Sequence, residues 1–163
     1  MSRRLIVIAS VVFASGIASA QPTGSRTPAP MQQPPAQAIT VSCDFIEITA
    51  TSGKVPLVDA SLDVLKKKLK KPPFSSWNVF KLQHREQRTL EKKKPETIKL
   101  KLGEVEAKLL GTANKSQLRL TISLDVNGKN IVNTTATVEA GDYLVYGHAL
   151  PDNAGHLIAL TCK

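Results

Sequence analysis

Aromatic residues are scarce in this chain of 163 residues, at 4% of the total. That is too few for the stacking platforms that hold single-stranded nucleic acids, so sequence-specific nucleic-acid binding is not expected. There are three histidines and two cysteines. His148 and His156 could face each other across a terminal hairpin, but zinc takes three or four ligands and no nearby carboxylate or cysteine completes the set. No metal and no cofactor are expected. The chain also lacks a G-x-S-x-G elbow, an H-E-x-x-H helix and a glycine-rich phosphate loop. Glu104 and Glu106 are the only closely paired carboxylates, and they sit beside lysines as ordinary surface decoration. Glu47, Asp142 and Asp152 have no recognisable partners. The pattern is that of a protein that is not an enzyme.

Long apolar runs are missing as well. The longest, residues 5–17 within "MSRRLIVIASVVFASGIASA", is shorter than the roughly 20 residues a bilayer-spanning helix needs. Arg3 and Arg4 before it and Ala18-Ser19-Ala20 after it make the three parts of a secretory signal, with cleavage expected after Ala20. Without Arg3 and Arg4, and with no acid lost, the net charge of +9 falls to +7. Residues 21–38, "QPTGSRTPAPMQQPPAQA", are rich in proline and small polar residues and cannot offset their ordering entropy, so they read as a flexible tether. The remaining residues, 39–163, suffice for a single domain. The destination is the periplasm or the medium, and Cys43 and Cys162, near the two ends of that domain, are expected to form a disulfide there.

Period-two patterning dominates the domain and predicts strands. "ITVSCDFIEITA" sets Ile39, Val41, Cys43 and Phe45 on one face, then slips phase at Phe45-Ile46, where a bulge would carry the pattern on to Ile48 and Ala50. "TIKLKLGEVEAKLLG" reads as a hairpin with Gly103-Glu104 at a two-residue turn, which places Ile98 against Leu109 and Lys101 against Glu106. In "QLRLTISLDVNGKNIVNTTATV" a three-residue loop ending at Gly128, with a bulge, sets Ile122 against Val132 and Leu118 against Ala136. "DYLVYGHA" and "HLIALTC" form the last pair, putting Cys162 on an apolar face as Cys43 is on its own. "NVFKLQH" and "RTLEK" are a less regular candidate pair.

A single helix is expected over residues 60–71, "ASLDVLKKKLKK", capped by Asp59 and stopped by Pro72 and Pro73. Leu62, Leu65 and Leu69 make a narrow apolar stripe, and lysines fill the remaining arc. The fold class is therefore α+β, mostly antiparallel β in a sandwich-like or partly rolled sheet with one amphipathic helix. Lys66, Lys67, Lys68, Lys70 and Lys71, with a second cluster at Lys92, Lys93 and Lys94 and with Lys99 and Lys101 on one strand face, would form a polyanion-binding surface if they converge, Lys66, Lys67, Lys70, Lys71, Lys92, Lys93 and Lys94 being the candidate contacts. Otherwise they are solvated faces. The sequons at Asn114 and Asn133 could accept glycans in a eukaryote, although Asn133 falls within a strand.

The order of signal, proline-rich tether, "KKPPFSSWNVFKL" and a terminal "VEAGDYLVYGHALPDNAGHLIALTC" resembles small exported β-rich proteins of unknown function in Gram-negative bacteria. The resemblance carries no site residues. The reading that follows is a non-enzymatic exported module that binds an envelope protein, or an anionic envelope polymer or lipid surface.

Overall fold

Among the described residues, alternation of apolar and polar side chains becomes nine strands in two sheets. The computed structural model describes residues 38–163; the signal segment, and the tether except for Ala38, lie outside the described residues. The first sheet contains β1 (Thr40–Thr51), β2 (Leu57–Val58), β3 (Val79–Glu91), β8 (Leu144–Ala149) and β9 (Gly155–Cys162), in the order β2-β3-β1-β9-β8. All its pairings are antiparallel except β2 with β3. The second sheet is the antiparallel meander β4 (Pro95–Lys99), β5 (Glu104–Thr112), β6 (Gln117–Val126) and β7 (Lys129–Glu139). The two stack face to face around Val41, Cys43, Phe45, Ile158 and Leu160 from the first sheet and Ile98, Val105, Leu109, Leu120, Ile122 and Leu124 from the second. The architecture is an α+β sandwich.

β1 lies between β3 and β9 and is buried on both faces, which explains its phase slip. Val41, Cys43 and Phe45 face the second sheet, while Ile46, Ile48 and Ala50 face a helical layer outside the first. No bulge falls at Phe45-Ile46. The register against β9 runs unbroken from Cys43 to Ala50, and the irregularity lies two residues on, between Glu47 and Ile48, where β3 carries the extra residue Gln83. β3 itself is one long strand, so the two segments read as a separate pair are halves of a single element.

That helical layer is a 3-10 turn, Ala60–Leu65, running into a short α-helix, α1 (Lys66–Leu69). Asp59 caps it by accepting the Ser61 N–H at 2.9 Å. Leu62, Leu65 and Leu69 are fully buried against Ile46, Ile48 and Phe80, as their stripe requires. The first half winds as 3-10 because a three-residue turn stacks Leu62 directly on Leu65.

Both hairpin registers differ from the sequence reading. The first turns at Lys101-Leu102, with Leu100 N–H donating to Gly103 C=O at 2.8 Å, so Ile98 faces Val105, and Glu104 faces Lys99. The two tip N–H groups are taken by a buried carboxylate, which favours this register over a tight glycine turn. The second uses Asn127-Gly128 as a two-residue turn with both φ values positive, 52° and 73°, as a type I′ turn needs. A bulge between Leu124 and Asp125 then restores apolar pairing, with Leu120 on Ala136 and Leu118 on Val138.

Cys43 and Cys162 are directly opposed on β1 and β9, with Cα atoms 4.0 Å apart, and form the disulfide. It joins the first and last long strands of the domain across 119 residues of sequence.

Candidate functional site

His148 and His156 are in direct register on β8 and β9, their rings edge to face with centroids 5.1 Å apart. The carboxylate thought to be missing beside them is Glu47. Alternation puts it on the inner face of β1 after Val41, Cys43 and Phe45, where an apolar residue would be expected. Its Oε1 lies 2.9 Å from His156 Nε2, and the carboxylate accepts Lys101 N–H at 2.8 Å and Leu102 N–H at 2.9 Å. Burial alone would push the Glu47 carboxyl up, but these hydrogen bonds outweigh it and hold the group below the usual carboxylate range. Desolvation and the neighbouring His156 lower the pKa of His148.

The pair is shaped for structure. Glu47 and His156 are both 0% exposed, so neither side chain is presented to solvent. Their hydrogen bonds tie the tip of the β4–β5 hairpin to the centre of the first sheet. Among the described residues no three histidine, cysteine, aspartate or glutamate side chains gather where they could hold a metal. The sequence signal for Glu47 was an acid at a position of apolar phase in a central strand.

The lysines divide into separate groups. Lys66, Lys67, Lys70 and Lys71 are exposed on the helical segment. Lys68, in the middle of the same run, is different: its amine donates to Asp142 Oδ2 at 2.9 Å and to the Tyr143 carbonyl at 2.5 Å, docking the helix onto the β7–β8 connection. Lys92, Lys93 and Lys94 form the turn by which the chain leaves β3 for the second sheet, with Lys93 at φ 67° and its N–H donated to Leu109 C=O. Lys66 and Lys70 lie beside Phe80, near one end of β3, and Lys92 follows its other end. Twelve residues at about 3.3 Å each separate these points by roughly 40 Å. The two groups do not converge. Lys99 ends β4, and Lys101 stands at the hairpin tip rather than in a strand.

Next to the helical segment is a groove of about 590 Å³, within the range of small-molecule sites. Its apolar lining is Pro56, Leu57, Val58, Trp77 and Phe80, and the charged residues on it are Lys66 and Lys70. Lys66 makes just a long 3.8 Å contact with exposed Asp63, too weak to neutralise it. Trp77, the chain's single tryptophan, is fixed from behind. Its Nε1 donates to Asn153 C=O at 2.7 Å, and its ring lies so close to Gly155 that a Cβ there would approach Cζ2 to 2.6 Å. The stretch "KKKLKKPPFSSW", from Lys66 to Trp77, thus delivers a rigid indole and the ammonium groups of Lys66 and Lys70 to one concavity. Sequence reading found the lysines and the tryptophan, but it could not place the β2 residues opposite them.

No protein-family model matches the chain, and no curated protein or solved structure is significantly similar to it.

Proposed function

We propose that this protein is an exported, non-enzymatic binding module whose recognition site is the groove beside α1, and that its ligand is an amphiphile with one anionic head and a single apolar chain. The observation that carries this is charge complementarity at one place: two ammonium groups on the rim of an apolar concavity containing Trp77 and Phe80. An alkyl chain gains about 0.8 kcal/mol for each methylene it buries there, and the head gains from Lys66 and Lys70. Export is supported by the N-terminal signal pattern and by a disulfide that suits an oxidising compartment.

Trp77 provides the test. Titration with dodecanoate, below its micelle-forming concentration, should give a saturable blue shift of the tryptophan emission. K66E with K70E should weaken the affinity at least tenfold, and dodecyltrimethylammonium should produce no shift. Equal response to both amphiphiles, or indifference to the lysine changes, would refute the reading.

The second reading, polyanion attraction, draws on the exposure of Lys66, Lys67, Lys70 and Lys71 on one short segment. It predicts heparin retention that falls steeply with salt and is abolished by reversing Lys66, Lys67 and Lys70. Heparin retention without dodecanoate binding would favour this alternative.

A further inference from the structure

The helical layer covers only part of the outer face of the first sheet. Beyond it the same face turns polar, and the register brings Gln87, Asp44 and Thr161 into one cross-strand row from β3, β1 and β9. Ser42, Arg85, Tyr143 and Lys163 complete a cavity of about 310 Å³. This cavity lies apart from the groove, sharing none of its lining residues.

Three features of the cavity define a ligand class. Asp44 and Arg85 already neutralise each other in a fork, Arg85 Nε lying 3.1 and 3.0 Å from the two carboxylate oxygens and Nη2 at 2.6 Å from Oδ2. An ionic ligand of either sign would meet the opposing half of that pair. Gln87 Nε2 donates to Ser42 Oγ at 3.1 Å, leaving the Ser42 proton to donate and the Gln87 carbonyl oxygen to accept. Thr161, 3% exposed, has a buried hydroxyl with no hydrogen-bond partner among the described residues. A buried hydroxyl costs free energy unless something pairs with it. Donors and acceptors are thus interleaved around the paired Asp44 and Arg85, with Lys163 also on the lining, and Tyr143 adds an aromatic wall whose backbone is held by Lys68.

We propose that this cavity is a second binding site and that it takes a neutral saccharide, one ring of which pairs its hydroxyls with Gln87, Ser42 and Thr161 while lying against Tyr143. A neutral polyhydroxyl ligand both donates and accepts at each hydroxyl, which matches the inventory of the site.

The test is amide chemical-shift mapping of the full exported domain with glucose, N-acetylglucosamine and maltose at tens of millimolar, with inorganic phosphate as the charged comparison. At least one sugar should shift residues 42, 44, 85, 87, 143 and 161, and phosphate should not. Thr161→Val should weaken that sugar by about 3- to 10-fold, the loss of one hydrogen bond. The same variant should unfold at an equal or higher temperature than the wild type, because it removes an unpaired buried hydroxyl. That combination separates a ligand contact from a structural role. Tyr143→Ala should weaken the sugar further. The proposal is overturned if no sugar shifts these amides, if Thr161→Val and Tyr143→Ala leave the sugar response unchanged, or if phosphate shifts them instead.

Discussion

Glu47→Gln is the sharpest probe of how this domain is held together. The side chain is 0% exposed and accepts three hydrogen bonds, at 2.8 to 2.9 Å, from His156 and from the N–H groups of Lys101 and Leu102. Glutamine preserves the shape but removes the charge and turns one acceptor into a donor, so at least one buried donor loses its partner. A hydrogen bond to a charged group contributes about 1.5–3 kcal/mol and a stranded donor costs about 1–3 kcal/mol, so a loss of about 3 kcal/mol is expected. At about 2.1 cal/mol/K per residue over roughly 125 residues, that corresponds to a fall in Tm of about 11 °C. Urea and thermal unfolding with the disulfide intact measure both quantities. The sign with pH is also fixed. The folded Glu47 carboxyl titrates below its ordinary value of 4.5, so its stabilisation is complete above that value and is lost as pH falls through the lowered one. The gap between wild type and variant should therefore be widest near neutrality and should close in acid. A change below about 0.5 kcal/mol, the ordinary scatter for surface substitutions, would refute the reasoning.

Further consequences follow from the same geometry. Replacing Cys43 and Cys162 together by alanine should cost about 4–5 kcal/mol by urea unfolding, since the bridge closes a loop of more than 100 residues in the unfolded chain. Leu65→Ala, at a fully buried position between the helical segment and the first sheet, should cost about 2–5 kcal/mol and weaken dodecanoate binding by loosening the wall that carries Lys66 and Lys70. Gly155→Ala should push the Trp77 ring out of place and red-shift its emission in the free protein. Lys68 holds the Asp142 carboxyl below the usual range, so their contact should persist at neutral pH and disappear as pH falls through the lowered value. Asp142→Asn should flatten that acid limb of the stability curve.

The parts of the fold legible in the sequence were those set by local periodicity. Leu62, Leu65 and Leu69 fixed which side of the helical segment is buried, the alternation from Leu118 to Val126 fixed the inner face of β6, and two isolated cysteines in equivalent phase pointed to their bridge. Register was harder, because it depends on partners far away in sequence. The tip of the β4–β5 hairpin is chosen by Glu47, more than 50 residues earlier, and the Asn127-Gly128 turn is reconciled with apolar pairing by a bulge that local pattern alone does not place. The phase change of β1 misleads for a related reason: a strand buried on both faces changes apolar phase without a bulge of its own, the one extra residue, Gln83, belonging to its neighbour β3. The lysines were visible individually, but the length of β3, a tertiary fact, keeps their two groups apart. The groove required Leu57 and Val58 of a two-residue strand to lie opposite Lys66 and Lys70, and no periodicity announces so short an element.

A crystal structure of the domain with dodecyl phosphate tests the proposed function most directly. The account predicts the phosphate between the Lys66 and Lys70 ammonium groups and the alkyl chain along Trp77, Phe80 and Leu57. An amphiphile seated elsewhere on the surface, or a groove that stays empty at saturating ligand, would contradict it.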